Sequence, residues 1–182
     1  PFMRHEYLAA MERSGSATAA TGWQPRVVTL SRGGELQAAC ALYLKQHSYG
    51  EYVFDWAWAD AYQQNGLAYY PKALIAVPFT PVPGARLLAR DAASRRALLN
   101  AVLGWCRKQK LSSLHLRFGD EADIAACDEA GLLLRHTVQF HWGNSSAPTG
   151  APANRYRDFD GFLASLTHDK RKKILQERRK VA

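Results

Sequence analysis

The sequence has few cysteines, no long apolar run and none of the short motifs that mark common enzyme sites. Its three cysteines show neither a Cys-x-x-Cys pair nor the Cys/His spacing of a zinc site, so we expect buried free thiols, a cytoplasmic location and no metal site. No apolar segment approaches the ~18 residues of a membrane span. No signal peptide is visible in a chain that starts at Pro1. Phosphate-binding Gly-rich loops, His-Glu-x-x-His and Gly-x-Ser-x-Gly are also absent.

Positive charge is concentrated at the end of the chain. The formal net charge is +8 over 182 residues, and residues 167–182 hold seven Lys/Arg against two Asp/Glu. Residues 1–166 hold seventeen against fourteen, so the body is only mildly basic. The tail, with an apolar stripe and a basic face, fits binding to nucleic acid, binding to a membrane surface, or a solvated helix face.

Hydrophobic periodicity predicts a mixed α/β fold with helices on both faces of one sheet. The predicted helices are Phe2–Arg13, Trp56–Gln64, Ser94–Gln109, Glu121–Ala130, Asp158–Leu166 and Asp169–Val181. The predicted strands are Arg26–Ser31, Glu35–Lys45, Glu51–Asp55, Lys72–Phe79, Ser113–Phe118 and Leu132–Trp142. Arg32-Gly33-Gly34 between the first two strands signals a hairpin. Asn144–Asn154 is a linker by composition.

The segment Lys45–Lys72 combines aromatic residues with polar and acidic ones. It carries eight of the twenty aromatic residues of the chain, together with His47, Glu51 and Asp55. A concave binding site has this composition, because aromatic walls there hold a few placed polar groups. The alternative is an aromatic-rich core strand followed by a capped helix.

Glu51, His47 and Asp55 are the polar candidates in this segment. On a strand, Glu51 and Asp55 would share a face about 13 Å apart, at ~3.3 Å per residue, and could not form a close carboxylate pair. Asp55 precedes the predicted helix at Trp56 and has an alternative role as its N-cap. Glu51 and His47 are therefore the better candidates for proton transfer, provided that both reach one cleft.

A second candidate site follows the predicted central strand. The stretch PFTPVPGARLL is rich in proline, which removes backbone donors and makes the strand end irregular. Arg95 and Arg96 lie in the first turn of the next helix, where the helix dipole disfavours cations and favours an anion. These arginines either attract a phosphate or are compensated by Asp91 and solvent.

Three ordered blocks give the chain a family resemblance. HSYGEYVFDWAWADAY, YYPKALIAVPFTPVPGARLL and DKRKKILQERRKV resemble the FemAB-like predicted N-acyltransferases of the GNAT (acyl-CoA N-acyltransferase) superfamily, which are related to the bacterial enzymes that build peptidoglycan cross-bridges. The resemblance implies a GNAT-like, mostly antiparallel central sheet. It implies an acyltransferase domain over residues 1–143, a linker at 144–157, and a basic helical segment at 158–182 that leads into a second half of a longer protein.

The resemblance also implies a donor site. Gly84, Ala85 and Arg86 correspond to the end of the loop that wraps the donor's pyrophosphate, and Arg95 or Arg96 would attract phosphate. The donor is either acyl-CoA (acetyl-CoA) or an aminoacyl-tRNA, the latter contacting the basic tail. The helix Glu121–Ala130 lacks the tyrosine that many GNAT enzymes use to protonate the leaving thiolate.

Two functions follow as expectations. The first is transfer of an acyl or aminoacyl group to a primary amine on a small molecule or peptide, such as a peptidoglycan-type precursor. Glu51 or His47 would act as base, and Tyr49, Asp55, Trp56, Tyr69 and Tyr70 would line the acceptor site. The second is a non-catalytic GNAT-like module that binds a cell-wall precursor or RNA.

Overall fold

The structure, a computed structural model, describes residues 2–140, 143–144 and 155–181, with the backbone alone at 181. The chain divides into two compact units, residues 1–135 and 136–182. The α-helices of the described residues are α1 (His5–Arg13), α2 (Trp56–Gln64), α3 (Ala92–Lys108), α4 (Glu121–Glu129), α5 (Phe159–Ala164) and α6 (His168–Val181), and a short 3-10 helix spans Ala19–Thr21. The strands are β1 (Trp23–Arg32), β2 (Glu35–Lys45), β3 (Lys72–Ile75), β4 (Leu88–Ala89) and β5 (Leu114–Leu116).

The first unit contains one open, mostly antiparallel five-stranded sheet. β1 and β2 form a hairpin whose turn, Gly33-Gly34, has positive φ at both residues (59° and 84°). β3 and β4 both pair antiparallel with the edge of β2 that β1 leaves free, β3 near its end and β4 at Ala38-Ala39. β5 runs parallel to β3. The chain therefore leaves the sheet after β3 and returns to the same edge at β4, which makes residues 76–87 an excursion beside the sheet.

Each face of the sheet has its own apolar cluster. On one face α3 and α4 pack against the alternating side chains of β2 and β3, and Leu98 and Val102 are fully buried there. On the other face Trp23, Tyr43 and Leu74 form a smaller cluster with Met11 of α1. Helices on both faces and the mixed α/β class confirm the predicted architecture.

Most predicted elements are confirmed with small changes of bounds. β2 and α2 have their predicted limits, and the other helices begin or end within a few residues of theirs. The predicted central strand from Lys72 is present but ends at Ile75, although burial continues through Pro78.

Two predicted strands are wrong. Glu51–Asp55 forms no strand, because the chain turns sharply at Gly50 (φ 79°) and Tyr52 (φ 57°). Within the predicted strand Leu132–Trp142, the described residues 132–140 are irregular, and Val138 and Phe140 are exposed. The alternating hydrophobic pattern predicted a strand, but the described residues 132–140 are not part of the sheet. Residues 141 and 142 lie outside the described part, as does the predicted linker beyond Asn144.

The second unit contains the two helices predicted in the tail. Asp158 caps α5 by accepting a hydrogen bond from the Gly161 N–H at 2.8 Å, and Leu163 is buried. The Arg178 guanidinium of α6 lies 4.4 Å from the centroid of the Phe159 ring, a cation–π contact. The remaining Lys and Arg side chains of α6 are exposed except Arg171, so the basic face is accessible within this unit.

Candidate functional site

The turn between β2 and α2 directs Glu51 inward. Gly50 has φ 79°, and a Cβ at this position would lie 2.6 Å from the Phe79 ring, so a side chain is excluded. Tyr52 also has positive φ, and it is exposed like Tyr49. Between these exposed aromatic residues, Glu51 is only 3% exposed. The local backbone therefore buries a carboxylate between two exposed aromatic residues of the chain.

Lys72 is the centre of the buried cluster. It is the first residue of β3 and fully buried, and its Nζ donates to three acceptors. These are Ser48 Oγ at 2.7 Å, Glu51 Oε2 at 3.0 Å and Asp55 Oδ2 at 2.5 Å. An ammonium group has three donors. All of them are used, so Lys72 binds the two carboxylates as a cation and has no free lone pair for nucleophilic attack.

The two carboxylates, predicted to be about 13 Å apart, lie together. Arg117 Nη2 donates to Glu51 Oε2 at 3.4 Å and to Asp55 Oδ2 at 3.3 Å, so both acids share two cations. The prediction failed because it assumed a strand, whereas the turn at Gly50 brings both side chains to the same ammonium. Asp55 does occupy the N-cap position of α2, but its side chain makes no capping hydrogen bond.

The two acids differ in their pKa values. Burial raises the pKa of Glu51 despite the opposing charges of Lys72 and Arg117. Burial also favours the neutral form of Asp55, but the hydrogen bond and charge of Lys72 outweigh it, with help from Tyr69, and lower the pKa of Asp55 to about 2. Glu51 Oε1 and Asp55 Oδ1 are buried and accept no hydrogen bond, although Glu51 Oε1 lies 3.0 Å from Lys72 Nζ as an ion pair. Glu51 is therefore the better proton acceptor of the pair.

A second buried lysine adjoins this cluster. Lys45 pairs with Lys72 in the β2–β3 register and is likewise fully buried. Its Nζ lies 3.6 Å from the Trp23 ring centroid and donates to the Tyr49 carbonyl at 3.1 Å. Burial, with the charge of Lys72 acting in the same direction, lowers the pKa of Lys45 to about 7. When Lys45 is neutral, the positive charges of Lys72 and Arg117 balance the negative charges of the two carboxylates, Glu51 and Asp55.

Tyr69 and Tyr70 connect the cluster to its surroundings. Tyr69 Oη donates to Asp55 Oδ2 at 2.9 Å and lies 3.2 Å from His115 Nε2. Burial, together with the charges of Arg117 and Lys72, lowers the pKa of His115 to about 3, so the imidazole is neutral at pH 7. On the other side, Tyr70 Oη lies 2.8 Å from Ser48 Oγ. A continuous chain of hydrogen bonds thus runs from His115 through the acids to Tyr70.

The remaining acceptor-site candidates separate into a rim and a support. Tyr49 and Trp56 are exposed, with ring centroids 5.2 Å apart, and form the rim. The His47 ring bonds to backbone on both sides. Nδ1 accepts from the Tyr49 N–H at 3.2 Å, so Nε2 carries the proton and donates to the Thr21 carbonyl at 3.1 Å. His47 also packs on Gly22, where a Cβ would meet its ring at 2.3 Å. His47 thus joins the turn to β1 and makes no hydrogen bond to Glu51.

The donor-site candidates lie on the excursion between β3 and β4. The Gly84 N–H donates to the Phe118 carbonyl at 3.0 Å, and Ala85 precedes the buried Arg86. Arg86 Nε donates to the Arg117 carbonyl at 3.0 Å. The structure therefore places Gly84, Ala85 and Arg86 beside β5.

Arg95 and Arg96, near the start of α3, are paired with carboxylates. Arg95 Nε lies 3.4 Å from Asp123 Oδ1 and also donates to the Leu87 carbonyl at 3.3 Å. Arg96 Nε lies 3.5 Å from Glu129 Oε2 at the surface. Asp91 caps α3 through the Ser94 N–H at 2.7 Å. The positive charges of Arg95 and Arg96 are thus balanced by carboxylates of the same chain.

Several cluster residues were not found from the sequence. They are Lys45, Ser48, Lys72, His115 and Arg117. One signal was available: Lys72 opens a run of apolar residues that is buried on both faces, and a charged residue beside such a strand needs a partner. The partner itself lies 17 to 21 positions away along the chain and could not be read from spacing.

Sequence comparison places the chain in a known family. The chain belongs to the FemAB-like family, described as peptidoglycan biosynthesis/recognition, whose model matches residues 1–182. No curated protein and no solved structure matches the chain. No helix in the described ranges has the length and apolar character needed to cross a membrane.

Proposed function

We propose that this protein transfers an acyl or aminoacyl group to a primary amine of a peptidoglycan-type precursor, on a GNAT-like sheet and in the cytoplasm. The observation that carries the proposal is Glu51, a carboxylate with a raised pKa that is held by Lys72 and Arg117 and is only 3% exposed, in a segment whose neighbours Tyr49 and Trp56 are exposed. The membership in a family described as peptidoglycan biosynthesis/recognition supports the class of acceptor.

The rim suits an amine before its proton is removed. A primary amine is an ammonium ion in water, and aromatic faces attract cations within about 6 Å of their centroids. Tyr49 and Trp56 are exposed and present such faces, with ring centroids 5.2 Å apart, and the buried Glu51 follows Tyr49 by two positions. Because Glu51 is almost fully buried, rim side chains must move before an amine reaches Oε1. The acceptor is thus drawn to the rim by charge and selected by its approach to Glu51.

The transfer step needs a base and a place for negative charge. Glu51 Oε1 takes one proton from the acceptor ammonium, and the freed amine attacks the donor's carbonyl carbon. As the new C–N bond forms, the ester C–O or thioester C–S bond breaks, and the carrier leaves with the second proton of the nitrogen. Backbone N–H groups beyond Ile75, where the pairing of β3 with β5 ends, are assigned to the oxyanion. Lys72 and Arg117 position Glu51 and hold Asp55 ionised. His47 is the alternative base that the sequence predicts, and its Nδ1 must first release the Tyr49 N–H before it can accept a proton.

The donor is an acyl-CoA or an aminoacyl-tRNA. The exposed Lys and Arg residues of α6 support a tRNA contact, because phosphate binding depends on such cations. A tRNA contact of this kind weakens as salt is raised.

A second candidate function is binding without chemistry. All three hydrogen-bond donors of Lys72 are used within the chain, and Glu51 and Asp55 are almost fully buried. Both features are also those of an internal ion network that serves stability, and they favour this second function. In that case the exposed rim alone binds a cell-wall precursor or RNA.

The test is a transfer assay read by mass spectrometry. Muropeptides with a free amine are offered with acetyl-CoA or with aminoacyl-tRNA, and the mass gain on the amine is followed. Glu51→Gln should lower turnover by about 10²-fold or more, the low end of general-base catalysis. The matched control is Glu35→Gln, an exposed glutamate at the start of β2. Unchanged turnover in Glu51→Gln removes it as the base, after which His47→Gln is decisive. Saturable binding without product from either donor supports the second function.

A further inference from the structure

The excursion between β3 and β4 ends in a short turn segment, residues 82–87, which bends at Arg86 and Leu87. The family resemblance assigns this turn to the pyrophosphate of a CoA donor, whose phosphate oxygens would be bound by backbone N–H groups and by arginine. These groups are all described in the structure, so the fit of the turn to a phosphate can be examined directly.

The backbone N–H groups of the turn already bind an anion. The N–H groups of Arg86 and Leu87 donate to the carboxylate of Asp123, at 2.5 Å to Oδ2 and 3.2 Å to Oδ1. Asp123 is fully buried in the first turn of α4. Its approach requires a residue without a side chain at Gly119, where a Cβ would lie 2.9 Å from Asp123 Cβ. The carboxylate is therefore built into the position that a phosphate would need.

The arginines are turned away from an external ligand. The Arg86 guanidinium is 2% exposed and donates to three backbone carbonyls, those of Val82, Gly84 and Arg117. Arg95 lies beside Asp123 and is largely buried. Arg95 balances the charge of Asp123, and Arg86 holds the backbone of the turn through its hydrogen bonds.

We infer that Asp123 is the turn's own anion and that residues 82–87 do not bind the pyrophosphate of a CoA donor. Two anions cannot share the same pair of N–H groups, and expelling Asp123 would leave a buried carboxylate without its donors. The residues present do not fit CoA at this turn. Within the proposed function, the inference limits the donor to one whose carrier is held elsewhere, and it rests on that function only in this respect.

The first test uses the wild-type protein and measures binding without turnover. Thermal unfolding is followed while CoA, and separately inorganic pyrophosphate, is titrated to millimolar concentration. A ligand that binds only the folded state raises the melting temperature with concentration. We expect no saturable rise with pyrophosphate, and any rise with CoA should persist in Arg86→Ala because the carrier is then held outside residues 82–87. A saturable rise with both, lost in Arg86→Ala, overturns the inference. Absence of transfer activity would not affect this result, so the two proposals fail separately.

The second test removes the internal anion. Asp123→Ala should lower the melting temperature, and inorganic phosphate should restore part of the loss in a saturable manner, because two N–H groups and Arg95 become available. Asp128→Ala removes a carboxylate from the same helix without touching the turn and is the matched control, with no phosphate effect expected. A folded Asp123→Ala protein that phosphate does not stabilise shows that Asp123 fills no anion site and overturns the inference. If this variant does not fold, the wild-type titration decides alone.

Discussion

Lys45 and Lys72 are directly paired across β2 and β3, and both side chains are fully buried. Like charges in this position destabilise a sheet unless they are compensated or one of them is neutral. Here Glu51 and Asp55 compensate Lys72, and the lowered pKa of Lys45 allows it to be neutral near pH 7. The pair explains why two carboxylates are buried at the same place.

Replacing Lys72 by Met should destabilise the protein by about 3–5 kcal/mol, the usual effect of removing one partner of a buried ion pair. Two carboxylates would remain in the interior, with only Arg117 to oppose them. Urea unfolding measures the change, and Lys108→Met, at an exposed position near the end of α3, is the control. Equal losses in the two variants would show that Lys72 does not hold the cluster. Adding Glu51→Gln to Lys72→Met should recover part of the loss, because neighbouring effects are not additive.

Lys45 should make stability depend on pH on the alkaline side. Its pKa is about 7 when folded and 10.5 in the absence of the fold. Between these values the unfolded chain binds a proton that the folded chain does not. The free energy of unfolding of the wild type should therefore rise with pH relative to Lys45→Met, by up to about 1.4 kcal/mol per pH unit.

This difference is read from urea unfolding of both proteins at several pH values from 7 to 10. Comparing the two cancels the titration of the tyrosines they share. Lys110→Met, which removes an exposed lysine, should follow the wild type. Parallel curves for the wild type and Lys45→Met would mean that Lys45 keeps an ordinary pKa.

Gly50→Ala should destabilise the protein by more than about 2 kcal/mol, because left-handed backbone alone costs an alanine roughly 1–2 kcal/mol. The added Cβ would also collide with the Phe79 ring. Gly33→Ala separates the two effects, since Gly33 has positive φ but a Cβ added there would meet nothing within 4 Å. Melting temperatures of both variants give the comparison, and a smaller loss for Gly50→Ala than for Gly33→Ala contradicts the assigned contact.

Tyr69→Phe should cost about 1–3 kcal/mol, the effect of leaving a buried polar group without its partner. Asp55 would lose a donor, which would raise its pKa, and His115 would lose one of its neighbours. The matched variant is Tyr62→Phe, whose ring packs 5.2 Å from that of Tyr69 and whose hydroxyl makes one 3.4 Å bond to the Ser112 carbonyl. Unfolding free energies at pH 7 and pH 3 test both parts, and Tyr69→Phe should become relatively less destabilising at the lower pH, as Asp55 is protonated in the variant.

The bounds of β2 and α2 could be predicted because they follow from residue patterns along the chain. The alternation of β2 and the Asn65-Gly66 stop after α2 gave their bounds. The segment 51–55 failed because aromatic and acidic residues alternate there with the period of a strand, while Gly50 and Tyr52 turn the backbone. The segment that holds Glu51, Asp55, Tyr69 and Tyr70 was singled out from its composition, but the cations that contact its acids were not predicted. Lys72 and Arg117 reach the acids through strand pairing, which is a relation between distant positions.

The paired lysines also specify how β3 aligns with β2. Along each strand, side chains alternate between the apolar layer under α3 and the opposite face, where Lys45 and Lys72 lie. A slip of β3 by one residue would exchange these faces and carry the Lys72 ammonium into the layer formed by Leu98 and Val102, away from both acids. The ion cluster therefore destabilises a sheet in which β3 is shifted by one residue. This role in specifying the register persists whether or not Glu51 ever removes a proton.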